Sequence, residues 1–259
     1  MSNSFSLAGK NAMVIGGAGG IGQAIAQGLA EAGARVAIAS RNVRSLQRAV
    51  KEIDESAGQR IAYYVVDAAD EESIKSLVAE SVKDLGRVDI LVNAQGINQK
   101  FNAEDFPMDV FRQMFEINVA GVMMCCKHFG KHMIGNGYGK ILNVSSVRGR
   151  IATQGAGNAG YCGTKGAVDM ITRQLASEFG KYNITVNAIG PTITETPMMT
   201  GILNSRGPNA RKEFADKHPM KRMGLPSDCV GPAVFLCSDA SCFVTGNIVY
   251  PDGGLTAIG

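Results

Sequence analysis

The length and charge of the chain limit the class of protein it can be. Its 259 residues can bury a large core and are near the upper limit for one domain. The 26 basic and 23 acidic residues leave a net charge of +3, with no basic run that would favour nucleic acid or an anionic membrane. No stretch approaches the roughly 20 apolar residues of a membrane-spanning helix. We therefore expect a single cytoplasmic domain over residues 1–259.

The cysteines and histidines do not suggest a metal site. The six cysteines form no CxxC pair, which favours reduced thiols that serve in packing. His128 and His132 are four residues apart on a predicted helix, but no third ligand is near them. We therefore predict that the protein holds no metal.

The first motif along the chain is a glycine-rich turn between a strand and a helix. The apolar run 12–15 leads into GGAGGIG at residues 16–22, after which Ile21, Ile25 and Leu29 recur at helical spacing. Such a turn lets the backbone approach a diphosphate and directs the positive end of a helix at it. A tight connection without a ligand is the alternative.

Strands and helices continue to alternate along most of the chain. Strands are predicted at 35–39, 61–66, 89–92, 140–144, 184–188 and 247–250, and helices at 43–56, 70–85, 107–133, from Tyr161 onward, and at 226–236. The strands are continuously apolar, as in parallel sheets covered by helices on both faces. We predict an α/β Rossmann fold with a doubly wound parallel sheet of about seven strands. A lid over 191–225, with a short helix at 209–217, interrupts the pattern.

Tyr161 and Lys165 form a pair suited to acid–base chemistry. They are four residues apart near the start of a predicted helix, so their side chains share a face. An ammonium group beside a phenol favours the phenolate, and we expect it to lower the pKa of the tyrosine from about 10 towards the working pH. Such a tyrosine can act as a general acid or base. Taken alone, this spacing more often means an ordinary helix face.

The order and spacing of several motifs together point to a family. The chain carries, in order, the turn at 16–22, Asp67, Asn93-Ala94-Gln95-Gly96, Asn118, Ser145-Ser146, Tyr161 with Lys165, Pro191 with Thr196-Pro197, and Asp252-Gly253-Gly254. Over essentially its whole length it resembles the short-chain dehydrogenase/reductase family, and within it the gluconate-type dehydrogenases of sugar acids and polyols. The resemblance implies an oxidoreductase that interconverts a secondary alcohol and a ketone with a nicotinamide cofactor.

The resemblance also implies residue roles. Tyr161 would be the acid/base, and Lys165 would lower its pKa and hold the nicotinamide ribose. Ser146 would hydrogen-bond the reacting oxygen, and Asn118 would fix a water in a proton relay. Further cofactor contacts are expected at Gly16, Gly19, Gly20, Ile21, Gly22, Ser40, Arg41, Asp67, Ala68, Asn93, Gly96, Pro191, Thr194 and Thr196.

Three of these residues have simpler alternative roles. Ser146 could cap a turn, Asn118 could serve a backbone or solvent contact, and Asp67 could be a turn or helix-entry residue.

The chain departs from the family pattern at a few positions. Ile15 stands where a Thr is usual, and Ala94-Gln95 replaces Asn-Ala, which removes supporting hydrogen bonds. Thr192 replaces the Gly that usually follows the proline, a variant that resembles some sugar and xylulose reductases. Because Ser146 and Tyr161 are fifteen residues apart, two more than in many members, we expect the loop 147–160 to bulge.

The end of the second strand predicts the cofactor. An NAD-preferring protein would place an Asp there to bind the ribose 2′-hydroxyl, whereas this chain reads Ala39-Ser40-Arg41-Asn42. A guanidinium and a hydroxyl suit a 2′-phosphate. We predict NADP over NAD, with NAD as a possible second cofactor. A solvated Arg41 is the alternative.

The residues around the expected pocket predict a polar substrate. Polar and basic side chains surround it, namely Asn98, Gln99, Lys100, Arg148, Arg150, Gln154 and Asn158. We expect Ser146, Arg148, Asn158 and Tyr161 to contact a sugar, polyol or sugar acid, with Arg148 facing an anionic group. The alternative is that both arginines face solvent.

Other functions use parts of the same pattern. A 3-oxoacyl thioester (acyl-carrier-protein) reductase would use the same chemistry, a nucleotide-sugar epimerase would normally need a longer chain, and a non-catalytic dinucleotide sensor would not need the catalytic residues. The resemblance further implies a homotetramer or homodimer that assembles through the long helices beside the sheet.

Overall fold

The computed structural model describes residues 3–153, 155 and 157–258. Its strands are β1 Asn11–Ile15, β2 Arg35–Ser40, β3 Ala62–Val65, β4 Ile90–Asn93, β5 Gly139–Val144, β6 Ile184–Ile189 and β7 Ile248–Val249. They form one parallel sheet in the order β3-β2-β1-β4-β5-β6-β7. The predicted seven-stranded Rossmann fold is therefore confirmed.

Helices cover both faces of this sheet. They are α1 Gly20–Glu31, α2 Val43–Ala57, α3 Glu71–Leu85, α4 Met108–Phe115, α5 Gly121–Asn136, α6 Ala159–Phe179, α7 Pro197–Arg206, α8 Ala210–Asp216 and α9 Val230–Cys237. One core joins α1, α2 and α9, with Ile25 and Leu46 fully buried. The other joins α3, α5 and α6 around Phe129 and Leu175. Among the described residues, no helix is both long and apolar enough to cross a membrane.

The structure differs from the predicted elements in three respects. The long helix predicted at 107–133 is interrupted by a π-helical turn at Glu116–Ala120, because the backbone widens there around Asn118. The lid contains α7, which the sequence pattern did not indicate, as well as the predicted α8. In β3, Tyr63 and Val65 are exposed, since this strand lies at the edge of the sheet where the helix cover ends.

The topology places a crevice at the carboxyl ends of the strands. The strand order reverses between β1 and β4, and open parallel sheets bind ligands at such a switch point. Gly16 directly follows β1, Ser146 follows β5 by two residues, and Pro191 follows β6 by two. The predicted site residues therefore meet at one edge of the sheet.

Candidate active site

The glycine turn is shaped for a close backbone approach. Gly16 has φ of +80°, and a Cβ there would lie 2.6 Å from the carbonyl carbon of Ala94. A Cβ on Gly22 would lie 2.3 Å from the Gly16 oxygen, so α1 can pack on the turn only with glycine at this position. The space around Gly19 is open to 4 Å, directly before the N-terminus of α1. These features fit a dinucleotide diphosphate.

The end of β2 lies beside this turn. The Gly16 amide donates to the Ala39 oxygen at 2.8 Å, which brings Ser40 and Arg41 close to the turn. Arg41 is exposed, and in the described part of the chain it forms no salt bridge. Asn42 caps α2 by accepting from the Ser45 amide at 2.9 Å. Arg41 is therefore an exposed cation two residues beyond the strand position that contacts the glycine turn.

Two predicted cofactor contacts take part in local structure. The Asp67 carboxylate accepts from the Ala69 amide at 3.0 Å, so this residue does form the turn before α3, while it stays exposed. The side chain of Asn93 is 1% exposed and donates into the core to Asn143 at 2.9 Å, so the predicted cofactor contact of Asn93 stays a prediction for its backbone. Only the backbone of Asn93 can face a cofactor.

Ser146 and Arg148 begin the loop after β5. Ser146 is buried, and its hydroxyl accepts from the Arg148 amide at 3.2 Å, so the turn-capping alternative describes one of its contacts. The Arg148 guanidinium donates to the Ala152 oxygen at 2.8 Å. A hydrogen bond with the Ser146 hydroxyl and the charge of Arg148 both lower the pKa of Tyr161.

The expected lowering of the Tyr161 pKa by Lys165 is wrong. Burial raises the pKa of Tyr161 to about 12, and Ser146 and Arg148 offset only part of this effect. The Lys165 ammonium lies 5.6 Å from the centre of the phenol ring and donates to the Val144 oxygen at 2.7 Å. Burial also lowers the pKa of Lys165 to about 8, with Asp169 opposing this shift. Tyr161 is thus a neutral phenol at neutral pH, which suits a proton donor.

Asn118 connects three parts of the site. It is fully buried in the π-helical turn, where its amide oxygen accepts from the Ile97 amide and its nitrogen donates to the Ile97 oxygen, both at 2.8 Å. Its nitrogen also donates to the Thr164 hydroxyl at 3.2 Å. A Cβ on Gly96 would lie 3.2 Å from the Asn118 amide oxygen and 3.7 Å from the Lys165 ammonium nitrogen. Asn118 therefore makes backbone contacts and also borders Lys165.

The lid begins against the glycine turn. Thr196 caps α7, and its methyl carbon would lie 3.3 Å from a Cβ on Gly20. Thr194 is buried, and its hydroxyl donates to the Thr192 oxygen at 2.9 Å. The backbone of Thr194 pairs with Gly224, which joins the two ends of the lid.

Two contacts of the site have no signal in the sequence. Thr164, the partner of Asn118, is 46 residues further along the chain. His218 is buried in the lid, and its ring nitrogens pair with the Thr192 hydroxyl at 2.7 Å and the Phe214 oxygen at 2.9 Å. Only the folded chain brings these partners together.

Some rim residues can be located and others cannot. The loop 147–160 forms a short 3-10 turn at Val147–Gly149, and Gln154 lies outside the described residues. Asn158 precedes α6 and accepts from the Cys162 amide through its backbone oxygen. The amide oxygen of Asn98 is buried without a hydrogen-bond partner among the described residues, which leaves an acceptor for a ligand.

The cysteines and histidines take structural positions. The six cysteines are free, and five are at least partly buried, but Cys242 is exposed, contrary to the expectation that all pack among apolar residues. His128 contacts Glu71, and His132 accepts from the Val88 amide. In the described part of the chain, no group of three or more His, Cys, Asp or Glu side chains is arranged to hold a metal.

Comparisons with known proteins agree with this geometry. The family model described as enoyl-(acyl carrier protein) reductase matches residues 16–256. Gluconate 5-dehydrogenase of Gluconobacter oxydans (strain 621H) is 36% identical over 97% of this chain and 96% of that protein. Galactitol 2-dehydrogenase (L-tagatose-forming) of Cereibacter sphaeroides is 35% identical over 97% of each.

A solved structure is similar over the full length. A gluconate 5-dehydrogenase from Burkholderia cenocepacia J2315, crystallised in complex with NADP and tartrate, has a TM-score of 0.92 and 32% identity, with 99% of each chain covered. The fold and the relatives define an oxidoreductase that acts on CH–OH groups. The chain belongs to the short-chain dehydrogenase/reductase family.

Proposed function

We propose that this enzyme interconverts a secondary alcohol and a ketone on a sugar, polyol or sugar acid, with NADP(H) as cofactor. The observation that carries this proposal is the meeting of Ser146, Tyr161, Lys165 and Asn118 at the switch point of the sheet, beside a glycine turn that fits a diphosphate. The relatives named for gluconate and galactitol support the substrate class.

Each residue has a distinct task in this chemistry. When the nicotinamide is bound, it supplies or accepts the hydride. Tyr161, which its raised pKa keeps protonated at neutral pH, donates its proton to the oxygen of a ketone substrate. The Ser146 hydroxyl donates a hydrogen bond to the same oxygen. Lys165 would hold the nicotinamide ribose. Together with Asn118, it would form the relay through which Tyr161 regains its proton.

The side chains around the expected pocket favour a polar substrate over an acyl thioester. The charge of Arg148, in the loop after β5, acts on Tyr161 and lowers its pKa. Long acyl chains need a mostly apolar pocket, whereas hydroxyl and carboxylate groups match these donors. The NADP named with the Burkholderia cenocepacia structure supports the choice of cofactor.

The assembly of the enzyme is part of the proposal. Met123 on α5 and Met170 on α6 are exposed by 39% and 61%, although both are apolar. Apolar side chains on the outer faces of neighbouring long helices suit an interface between copies of the chain. We therefore propose a homodimer or homotetramer that forms through α5 and α6.

Substitution of Tyr161 tests the mechanism. In Tyr161→Phe, kcat for reduction of 5-ketogluconate-type substrates should fall by about a hundred- to ten-thousand-fold, because the proton donor is lost, while NADPH still binds. Turnover is followed by the absorbance of reduced nicotinamide over a panel of polyols, sugar acids and β-keto thioesters. Tyr182→Phe, which removes a hydroxyl outside the site, is the control. Near-normal kcat in Tyr161→Phe, or the best turnover on thioesters, would contradict the proposal.

A further inference from the structure

The short turn that carries Ser146 into the site packs against helix α6. The Gly149 amide donates to the Ser146 oxygen at 2.9 Å, which closes this turn. A Cβ on Gly149 would lie 2.5 Å from Oδ2 of Asp169 and 2.9 Å from the Lys165 oxygen. Because only glycine fits in this space, the turn rests directly on the Asp169 carboxylate.

Tyr250, which follows β7, contacts the same carboxylate and also the other side of Ser146. Its hydroxyl donates to Oδ2 of Asp169 at 3.4 Å. Its ring fills the space beside Gly190, where a Cβ would lie 2.5 Å from two ring carbons and 3.3 Å from the Ser146 carbonyl carbon. The guanidinium carbon of Arg150, at the end of the Ser146 turn, lies 5.3 Å from the centre of the same ring.

These contacts form a closed cycle around the turn. The cycle runs from Ser146 through Gly149, Asp169, Tyr250 and Gly190 and back to Ser146. Each step is a hydrogen bond or a direct steric contact. The turn therefore cannot shift without displacing either α6 or the segment after β7.

The Asp169 carboxylate is costly to keep at this position. Asp169 is 3% exposed, and it forms no salt bridge in the described part of the chain. Buried carboxylates are normally paired with a cation, because an unpaired one destabilises the fold. A residue retained at such a cost is better explained by a task at the site than by stability.

We propose that Asp169 and Tyr250 are positioning residues that hold the Ser146 turn from two sides, so that the Ser146 hydroxyl stays directed at the reacting oxygen. Both act through Ser146 and not by touching the substrate. Donors to a developing charge are effective only when their own positions are fixed, which is the physical reason for such a support. The inference rests on the proposed function, because that function defines the task of Ser146.

Alanine substitutions remove each support. In Asp169→Ala and Tyr250→Ala, kcat for the NADPH-dependent reduction of 5-keto-D-gluconate should fall by about tenfold, because the Ser146 hydrogen bond strengthens in the transition state. KM, and the NADPH dissociation constant from fluorescence titration, should stay within about twofold. Asp169→Asn keeps the shape and an acceptor oxygen, and Tyr250→Phe keeps the ring, so each should retain at least about a third of the wild-type kcat.

A double substitution shows whether the supports act through Ser146. Ser146→Ala should lower kcat by itself, and adding Asp169→Ala should cause no further loss, because the positioned hydroxyl is already gone. A merely structural residue would lower kcat by the same factor in both backgrounds. Asp84→Ala is the matched control and should leave kcat unchanged, because Asp84 accepts from Tyr64 at 2.8 Å in a similar pair at the edge of the sheet.

Hydrogen exchange of the turn is a second readout, which does not depend on turnover. The Gly149, Arg150 and Ile151 amides all donate to oxygens within the turn. They should exchange about tenfold faster in Asp169→Ala and Tyr250→Ala than in the wild type, because the turn opens more often once a support is lost. Exchange of these amides should not change in Asp84→Ala.

Several results would overturn the positioning role. These are unchanged exchange in both alanine variants, an undiminished effect of Asp169→Ala in the Ser146→Ala background, equal losses in Asp169→Asn and Asp169→Ala, or the same losses in Asp84→Ala. A failure of the proposed function would be different, since no alcohol or ketone is then turned over while the turn still exchanges faster in Asp169→Ala. Thermal unfolding shows whether each variant is folded, and Asp169→Ser or Tyr250→Leu replaces an alanine variant that is not.

Discussion

Burial sets the proton chemistry of the two central side chains. It raises the pKa of Tyr161 to about 12 and lowers that of Lys165 to about 8, so the two groups are shifted towards their neutral forms. Nearby groups offset part of each pKa shift. Ser146 and Arg148 lower the pKa of the Tyr161 phenol, and Asp169 raises that of the Lys165 ammonium. The protein therefore holds a proton donor and a titratable amine 5.6 Å apart, measured from the ammonium to the ring centre.

The lowered pKa of Lys165 predicts how stability depends on pH. The folded pKa is about 8 and the unfolded pKa about 10.5, so the unfolded chain binds more protons between these values. The cost of burying the charge is full below pH 8 and is lost as the pH rises from 8 to 10.5. Lys165→Met removes this cost, so it should stabilise the folded protein more at pH 7 than at pH 10. The free energy of unfolding of Lys165→Met minus that of the wild type should be about 1–3 kcal/mol larger at pH 7.

Chemical denaturation of the wild type and of Lys165→Met at several pH values measures this difference. Lys181→Met, in the turn after α6 and exposed, is the control and should show no such dependence. A difference between wild type and Lys165→Met that stays constant from pH 7 to pH 10 would contradict the lowered pKa.

Arg41 should determine the choice of cofactor. Arg41 is exposed and lies two residues after Ala39, whose oxygen accepts from the Gly16 amide of the glycine turn. Charged hydrogen bonds to a 2′-phosphate contribute about 1.5–3 kcal/mol. Arg41→Ala should therefore raise the dissociation constant for NADPH by about 10- to 150-fold and hardly change that for NADH. Fluorescence titration of both cofactors measures this effect. Arg48→Ala, which removes an exposed arginine of α2, is the control; equal losses for both cofactors in Arg41→Ala would exclude the role.

At the scale of elements, the lid is attached through few residues. Its described core contains only Leu203, Ala210, Phe214 and Met223, with Ile193 and Met199 packed against it. His218 links α8 to Thr192 at the start of the lid, and the Met220 amide donates to the Gly253 oxygen in the C-terminal turn. An element with so small a core depends on these links for its position, which explains why Thr192 is useful where the family usually has Gly.

His218→Leu should loosen the lid selectively. The substitution removes two hydrogen bonds of a buried ring, each worth about 0.5–1.5 kcal/mol, so amides in 197–217 should exchange about tenfold faster. Hydrogen exchange with mass spectrometry resolves this segment. The control is His128→Leu, which removes a histidine of α5 and should leave lid exchange unchanged. Lid exchange in His218→Leu equal to that of the wild type would show that the ring does not secure the lid.

At the scale of the whole molecule, the outer face of α5 and α6 should govern assembly. A charge introduced at an apolar interface must be desolvated, which costs several kcal/mol without a partner. Met170→Asp should therefore shift the protein to smaller species in sedimentation velocity at micromolar concentration. Met220→Asp is the control, because Met220 is 62% exposed but lies at the end of the lid. A wild-type monomer, or no change in Met170→Asp, would contradict the proposed interface.

Local patterns in the sequence predicted the order of the elements, which the fold confirms, and also the candidate site residues. Apolar runs and helical periodicity are local properties, so they predicted the seven strands, the glycine turn and the helix that carries Tyr161 and Lys165. The position of Ser146 just after β5 followed from the same reasoning, because strand ends face the crevice.

The tertiary structure decided what depends on residues distant in the sequence. The pKa of Tyr161 depends on its burial. The pairing of Asn118 with Thr164 depends on a π-helical turn, which no periodicity in the sequence reveals. The side chain of Asn93 faces the core because its partner Asn143 lies on the neighbouring strand. Local patterns cannot predict these outcomes, since burial and hydrogen bonds act through space rather than along the chain.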